Sequence, residues 1–508
     1  MTIYNFNIGI GWASSGVEYA QAYRSNIFKK NKQKAKFIFT DMFHENIQPM
    51  TKNIGFNDHE VIWLYQYFTD IKVSPTTFTL KDLETEFTSQ PREEQKNEHS
   101  VTYYFEENHL RLTAFFIKEK GKEKVFKTEM VVGGKLIQRD YFSYVRMFSE
   151  YFKPHNGNAN LYQRRFFNED GSVAYDELLN GEQSLYVFDD FTIYSREDLI
   201  TYFMTQLGLS EKDIIIIDRS TGMGPQIIKG KGQAKLGVVI HAEHFNEPLT
   251  TSEKILWNNY YDYQFENAKV IDFFVTATQK QNEVLKQQFK DYNKGEIKVF
   301  TIPVGSIDRL RKKNKREETA LITASRLASE KHLDWLIKAV VKAKKEVPQL
   351  KLDIYGRGGE EGMLRKLIHE LGAQEFIQLK GQHKLDEVYK NYGTYVSTST
   401  SEGFGLTLLE AVGSGNRMIG FDVRYGNQTF IQDNVNGYLV DYIKNDNDLN
   451  ISNIAKALIT MYKQSASELS EMRKESYEIA TPYLTKAIQK LWIELEIEMI
   501  EEKEKTNA

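Results

Sequence analysis

Cysteine is absent from this chain of 508 residues, so disulfides and thiolate chemistry are excluded, as fits a reducing compartment. Proline is scarce, with nine residues. No stretch approaches the roughly 18–20 apolar residues of a membrane-spanning helix. The start, MTIYNFNIGIGW, lacks both a basic segment and a long apolar run, so no signal peptide is expected and the cytoplasm is the default location. A large charge of either sign is also missing. The net charge of −4 argues for neither a nucleic-acid nor a membrane partner. Apolar residues at 41% and charged residues at 27% are ordinary for a globular protein, and the length allows two or more domains with buried cores.

Aromatic residues are plentiful. There are 29 tyrosines and 31 phenylalanines, and many fall between residues 60 and 205. Before that region the chain reads strand, loop, helix, strand: TIYNFNI, GIGWASSG, VEYAQAYRSNIFKK and KAKFIFTD. This is the opening of a doubly wound α/β domain. From about 60 to 195 the helical period gives way to alternation of bulky and polar residues. Turn signals fall at Glu-Asn, Lys-Gly and Gly-Gly, which predicts an inserted antiparallel β-meander. Its aromatics either fill its own core or present a face to a partner protein.

The α/β pattern then returns, and a second parallel domain follows the charged stretch RLRKKNKREE, whose basic run at 311–316 reads as a solvated linker rather than an anion site. QDNVNGYLVD reads as a hairpin or a last short strand, and two long amphipathic stretches, 451–480 and 482–505, close the chain. The expected organisation is therefore α/β, with two Rossmann-like domains facing a cleft. The first is split into 1–55 and 201–305 by an insert at 56–200. The second covers 306–482, and a C-terminal helix covers 483–508.

Five segments bear on chemistry. In SEGFGLTLLEA the amides of Gly403, Phe404, Gly405 and Leu406 open a helix and can face phosphate oxygens. Glu402 and Glu410 flank it. A helical span of that length rises about 12 Å, too far for a glycosidase carboxylate pair but suited to gripping two ends of one long ligand. In SRLASEKH, Arg326 and Lys331 sit five apart on a strand-to-helix loop, where both could reach one diphosphate; exposed surface cations are the plainer reading. GIGWASSG, ending at Gly16, has Ser14 where a dinucleotide loop needs glycine and lacks the P-loop Lys; it remains a turn able to approach a ligand. YGRGGEE at 355–361 reads as structural in preference to ligand-binding. HAEHFNE follows an apolar strand and is not H-E-x-x-H, so a zinc site is not expected. Its His241 either points into the cleft or is a satisfied core histidine. Asp189 and Asp190 fall in an expected turn.

With these pieces in order, the chain resembles the family-4 retaining glycosyltransferases of the GT-B fold. Arg326 and Lys331 in SRLASEK, the E-x7-E pair Glu402/Glu410, and YGNQTFIQDNVNGYLV at 425–440 carry the resemblance. The N-terminal MTIYNFNIGIGWASSGVEYAQAYR and the insert narrow it to the GtfA-type catalytic subunits of accessory secretion systems. That resemblance implies a UDP-N-acetylglucosamine donor, or UDP-glucose in some members, and Ser/Thr hydroxyls of a serine-rich repeat adhesin as acceptor. It implies no cofactor and no metal, a homologous non-catalytic GtfB subunit docked on the β-sheet insert, and a cytoplasmic protein, with peripheral association at the inner face of the membrane as a variant. It also implies roles: Arg326 and Lys331 on the diphosphate, Glu410 on the ribose, Glu402 and His241 at the sugar, and Gly16, Gly403, Phe404, Gly405, Leu406 and His383 lining the donor. A wall teichoic acid α-N-acetylglucosaminyltransferase is the rival enzyme. A non-catalytic binding module is the rival outside enzymes, and the retained diphosphate grip argues against it.

Overall fold

The computed structural model describes residues 1–12, 15–105, 109–313 and 315–506, with side chains as far as Glu501. Ala13 and Ser14 of the GIGWASSG turn, the Glu107-Asn108 turn signal and Asn314 of the basic run lie outside the described residues. Two compact units form: Met1–Val238 with Asp262–Asp272, and Val239–Tyr261 with the chain from Phe273 onward. Among the described residues, no helix is long and apolar enough to cross a membrane.

In the first unit, five strands lie parallel in the order Val61–Trp63, Ala35–Phe39, Ile3–Asn7, Ile214–Ile217 and Lys235–Ile240. Ile214–Ile217 is four isoleucines, all buried, as expected of a parallel strand covered on both faces. The helix Gly16–Lys30 follows the first strand and opens with a capping box, Ser15 with Glu18. Glu18 and its neighbours are drawn inward. Asn7 donates to Glu18 and Gln21, and Gln21 and Arg24 both donate to Asp218.

The insert is one antiparallel sheet of ten strands in chain order, from Glu93–Lys96 to Thr192–Ile193. The Lys-Gly and Gly-Gly signals are its turns, with Gly121 and Gly134 at positive φ. Its start differs from the expected residue 56. Val61–Trp63 pairs with Ala35–Phe39 in the parallel sheet, and the short helices Leu64–Tyr67 and Leu80–Thr85 intervene. A three-residue strand is too short to show a period. The expected end at 200 falls inside the helix Arg196–Gln206, which Ser195 caps.

The insert's aromatics are divided: Phe78, Tyr103, Phe116 and Phe142 fill its own core, while a second set packs on Trp63, Tyr65 and Phe68 beside the parallel sheet. Tyr141, Phe148, Phe166, Tyr175, Phe188 and Phe191 stack in a ladder across the strands, with centroids 4.5–5.4 Å apart. Phe191, at the end of the ladder, is exposed, as are Tyr162 and Tyr194. Beside the ladder, the buried Glu150 accepts from Arg164 Nε at 3.0 Å, Tyr141 Oη at 2.9 Å and His44 Nδ1 at 3.1 Å. Burial alone would raise its carboxyl, but His44 and Arg164 outweigh that and hold it at about 2.

The second unit holds a six-stranded parallel sheet. The strands Glu317–Ala324, Lys351–Tyr355, Ile377–Gly381, Tyr392–Ser397, Arg417–Phe421 and Gly437–Val440 are ordered third, second, first, fourth, fifth, sixth. This is the order of a doubly wound nucleotide-binding sheet. Gly437–Val440 pairs parallel to Arg417–Phe421, which excludes the hairpin alternative. Phe273–Thr276 pairs parallel with Val299–Thr301.

Two expectations about this unit are corrected. The stretch 451–480 is two helices, Asn447–Tyr462 and Ala466–Ala480, because Ser465 and Glu468 cap the second. The basic run is only partly a solvated linker. Lys312, Lys313 and Lys315 are exposed, but Arg316 turns inward to the carbonyls of Tyr392, Ser414 and Gly415, and Arg311 pairs with Asp386. The Arg316 guanidinium satisfies carbonyls where a helix ends.

The gap between the usual 4.5 and about 2 at Glu150 is worth roughly 3 kcal/mol. Because the folded-state value is depressed, this stability is present above pH 4.5 and is lost as pH falls toward 2. Glu150→Gln is expected to destabilise the protein by roughly 2–3 kcal/mol at pH 7. In urea unfolding, its deficit against wild type should shrink across that window.

Candidate active site

A doubly wound sheet leaves a crevice where its strand order reverses, beyond the carboxyl ends of the strands on either side. In the second unit that point lies between Glu317–Ala324 and Tyr392–Ser397. The chain leaves the first of these as Ser325-Arg326-Leu327 and the second as Thr398 to Glu402. Both segments singled out in the sequence therefore flank the switch point.

The Ser325–Lys331 loop is braced from behind by YGRGGEE. Ser325 and Leu327 donate to the carbonyls of Tyr355 and Arg357, and Glu360 donates to Leu327. Gly356, at φ 137°, sits so close that a Cβ would meet the Ser325 carbonyl at 1.9 Å. This turn fixes the loop that carries the cations. The loop ends in the short turn Ser329–Lys331, and Thr398 Oγ1 donates to the Lys331 carbonyl at 2.9 Å. Lys331 Nζ meets Glu402 Oε2 at 2.7 Å, with both side chains largely shielded. Arg326 goes the other way. Its side chain is 81% exposed and pairs with Glu330 at 3.2 Å. The expected convergence of two cations is thus replaced by one inward and one outward cation.

Glu402 lies four residues before the helix Leu406–Gly413. The 12 Å helical rise expected from Glu402 to Glu410 does not apply, because only the second half of that span is helical. The backbone of Glu402 is gripped by three consecutive residues. Its N–H donates to the Arg424 carbonyl at 3.2 Å, and its carbonyl accepts from Tyr425 at 2.7 Å and Gly426 at 2.8 Å. Gly405 is the helix N-cap at φ 83°, where a Cβ would strike Leu408. The Phe404 ring packs in the core against Phe430 and Tyr483, so only its main chain can serve a ligand. Leu406 also packs against that core.

Glu410 sits on the helix, partly buried, beside Tyr389, Asp386 and Arg311. Burial pushes its carboxyl up to about 7; Asp386 adds to the rise, and Tyr389 and Arg311 oppose it. His383 contacts the Lys380 carbonyl at 2.8 Å and lies edge-on to Tyr355 at 5.8 Å. Gly16 lies in the other unit as the first residue of its helix, with open space where a Cβ would stand.

His241 donates its main-chain N–H to Tyr261 Oη at 2.9 Å, and its carbonyl would lie 3.0 Å from a Cβ on Gly403. It is only partly buried; the core histidine of HAEHFNE is His244, at 0% exposure, whose ring burial pushes down to about 4. Glu243 accepts from Tyr425 Oη at 2.5 Å, and Arg424 pairs with Glu247 at 2.6 Å. Sequence reasoning missed Glu243, His244 and Tyr425 as a group, because no local spacing links them.

Residues 306–478 match the family Glycosyl transferases group 1, and residues 92–190 match the GtfA extended beta-sheet domain. The fold is that of the GT-B glycosyltransferases. The chain is 50% identical to the UDP-N-acetylglucosamine–peptide N-acetylglucosaminyltransferase GtfA subunit of Streptococcus gordonii, over 97% of this chain and 98% of that protein. It therefore belongs to the GtfA subunit family. The pneumococcal O-GlcNAc transferase GtfA, crystallised with UDP and GlcNAc, is 48% identical, with a TM-score of 0.90 over 98% of this chain and 99% of that one. A crystallised GtfA/B complex matches with a TM-score of 0.95 at 50% identity, over 99% of this chain and 100% of that chain. The poly(ribitol-phosphate) alpha-N-acetylglucosaminyltransferase of Staphylococcus aureus is 26% identical over 75% of each chain.

A carboxyl raised from 4.5 to about 7 in the folded state opposes folding above pH 4.5, because ionising it costs more in the folded chain than in the unfolded one. That penalty grows from pH 4.5 to 7 and is complete above 7. Glu410→Gln is expected to stabilise the unliganded protein above pH 7 by about 1–3 kcal/mol. Melting temperatures of mutant and wild type should converge at pH 4.5.

Proposed function

We propose that this protein is a retaining, metal-independent transferase that moves N-acetylglucosamine from UDP-N-acetylglucosamine to Ser/Thr hydroxyls of a serine-rich repeat adhesin. The observation that carries the reading is the 2.7 Å contact between Lys331 and Glu402, 71 residues apart in sequence, at the reversal point of a nucleotide-binding sheet. The relatives support the donor and a peptide acceptor: GtfA subunits stand at 41–50% identity and the teichoic acid enzyme at 26%.

In this reading UDP lies on the second unit. Glu410 takes the ribose hydroxyls and His383 lines the nucleotide site. The amides of Gly403, Phe404, Gly405 and Leu406 face phosphate oxygens. Glu402 holds hydroxyls of the sugar, with His241 contributing on the sugar side. Arg326 and Lys331 neutralise the diphosphate as the C1–O bond breaks. The serine oxygen then attacks C1 from the face the diphosphate leaves, forming the new C1–O bond. Its proton passes to the departing β-phosphate oxygen. Diphosphate is a good leaving group, so no strong general acid is required.

An exposed ion pair such as Arg326–Glu330 is worth no more than about 1 kcal/mol, so Arg326 can leave it for a diphosphate at little cost. A homologous GtfB subunit is the proposed partner, docked on the insert sheet. The proposed location is the cytoplasm, with peripheral contact at the inner face of the membrane.

A charge-assisted contact on a leaving group is worth about 3–4 kcal/mol, or ~10²–10³ in rate. Lys331→Ala and Arg326→Ala are each expected to lower turnover by that order without unfolding the protein. Mass spectrometry of a serine-rich peptide incubated with enzyme, UDP-N-acetylglucosamine and competing UDP-glucose reads the transfer. A parallel arm with polyribitol phosphate tests the rival acceptor. Sugar on the polymer and none on the peptide would overturn the proposed acceptor. Near-normal transfer by either mutant would remove that residue's leaving-group role.

A further inference from the structure

We infer that Tyr425 is a positioning residue for Glu402, and hence for the Lys331–Glu402 pair, with Glu243 as the anchor that holds Tyr425 in place. The inference rests on the function proposed above and adds residues to which that function gave no part.

The main-chain N–H of Tyr425 and that of Gly426 converge on the Glu402 carbonyl, while the Arg424 carbonyl receives the Glu402 N–H. Wherever Tyr425 sits, the backbone of Glu402 must follow. Tyr425 itself is 1% exposed, and its hydroxyl donates to Glu243 Oε1 at 2.5 Å. Burial and the Glu243 charge both raise the phenol, so it keeps its proton and stays a donor. Behind it, the His244 ring lies nearly parallel at 6.1 Å. His244 Nε2 lies 2.8 Å from Gln288 Oε1, and its Nδ1 lies 3.5 Å from Gln281 Nε2. That arrangement assigns the proton to Nε2 and leaves Nδ1 as an acceptor.

One short stretch of chain thus touches the catalytic turn and its clamp at three points. The His241 carbonyl abuts Gly403, Glu243 holds Tyr425, and Glu247 holds Arg424, whose guanidinium also lies 5.1 Å from the Phe245 ring. Packing alone does not call for this arrangement. A phenylalanine would fill the same space without burying a hydroxyl that needs a partner. The phenol and carboxylate fix a direction that an apolar contact would leave loose. Misplacing a catalytic group by about 1 Å can cost ~10²-fold in rate.

The test compares Tyr425→Phe, Glu243→Leu, Glu243→Gln and the double variant Tyr425→Phe/Glu243→Leu in the full-length protein with its partner subunit present. Glu243→Gln keeps an oxygen able to accept from the phenol. The readouts are kcat and KM for UDP-N-acetylglucosamine, UDP affinity and melting temperature. Tyr425→Phe and Glu243→Leu are expected to lower kcat by about tenfold or more while KM and UDP affinity change by less than about threefold. Glu243→Gln should retain kcat within about threefold, and the double variant should be no slower than the slower single. An unchanged kcat in Tyr425→Phe, multiplying losses in the double variant, or a Glu243→Gln as slow as Glu243→Leu would overturn the assignment. A wild-type protein that does not turn over UDP-N-acetylglucosamine would instead overturn the proposed function, and this inference with it. Normal wild-type turnover with an indifferent Tyr425→Phe removes this inference alone.

Discussion

The ion pair of Lys331 with Glu402 depends on how the main chain holds each partner, more than on the attraction between them. Two long side chains on free loops would gain little from meeting, because ordering them costs rotamer entropy and solvent screens the charges. Here neither loop is free. The Lys331 carbonyl is tied to Thr398 on the neighbouring strand's exit, and the Glu402 backbone is tied at both its N–H and its carbonyl. The ordering is done when the sheet folds, so the pair forms without a further entropic penalty. This is the preorganisation that a charge-stabilising site requires.

The sheet explains why these particular loops are the ones held. A parallel strand presents its carboxyl end to a turn and a helix, and the next strand enters from the opposite face. Where the order reverses, two such turns face each other without a crossing connection between them. Glu317–Ala324 and Tyr392–Ser397 are that pair of neighbours. Buried residues inside the strands set their register, and register sets where Arg326, Lys331 and Glu402 emerge. The antiparallel insert follows a different rule. Its strands are consecutive in chain order, and it is held by a ladder of rings and by Arg164 bridging Glu150 and Glu177.

Much of this was legible in the sequence because it is local. IIII is a strand by itself, YVSTSTSEGFG carries a strand's end with its exit and turn, SRLASEK carries the exit and turn of another, and hairpin turns announce themselves as Lys-Gly and Gly-Gly. What was misread is non-local. Charge counting made 311–316 a linker, but Arg316 finds its carbonyls 76 to 99 residues away. Tyr425 meets Glu243 across 182 residues, with no spacing to betray it. The insert's start was placed too early because Val61–Trp63 offers three residues, fewer than any period needs. Only coordinates could tell that Arg326 faces outward while Lys331 faces inward.

That difference between the two cations has a physical consequence. Lys331 is shielded and already partnered, so its charge is placed before any ligand arrives, and moving it would leave Glu402 without its cation. Arg326 stands in water with an exposed partner, and its guanidinium remains hydrated until something more strongly anionic displaces that water. A planar fork that can grip two oxygens at once is the better group for such a late contact, and a compact ammonium is the better group for a fixed one. In the function proposed above, the loop would offer a diphosphate one charge in place and one charge that closes over it. This division follows from a spacing of five positions and from a 3₁₀ turn that carries Lys331 and leaves Arg326 ahead of it.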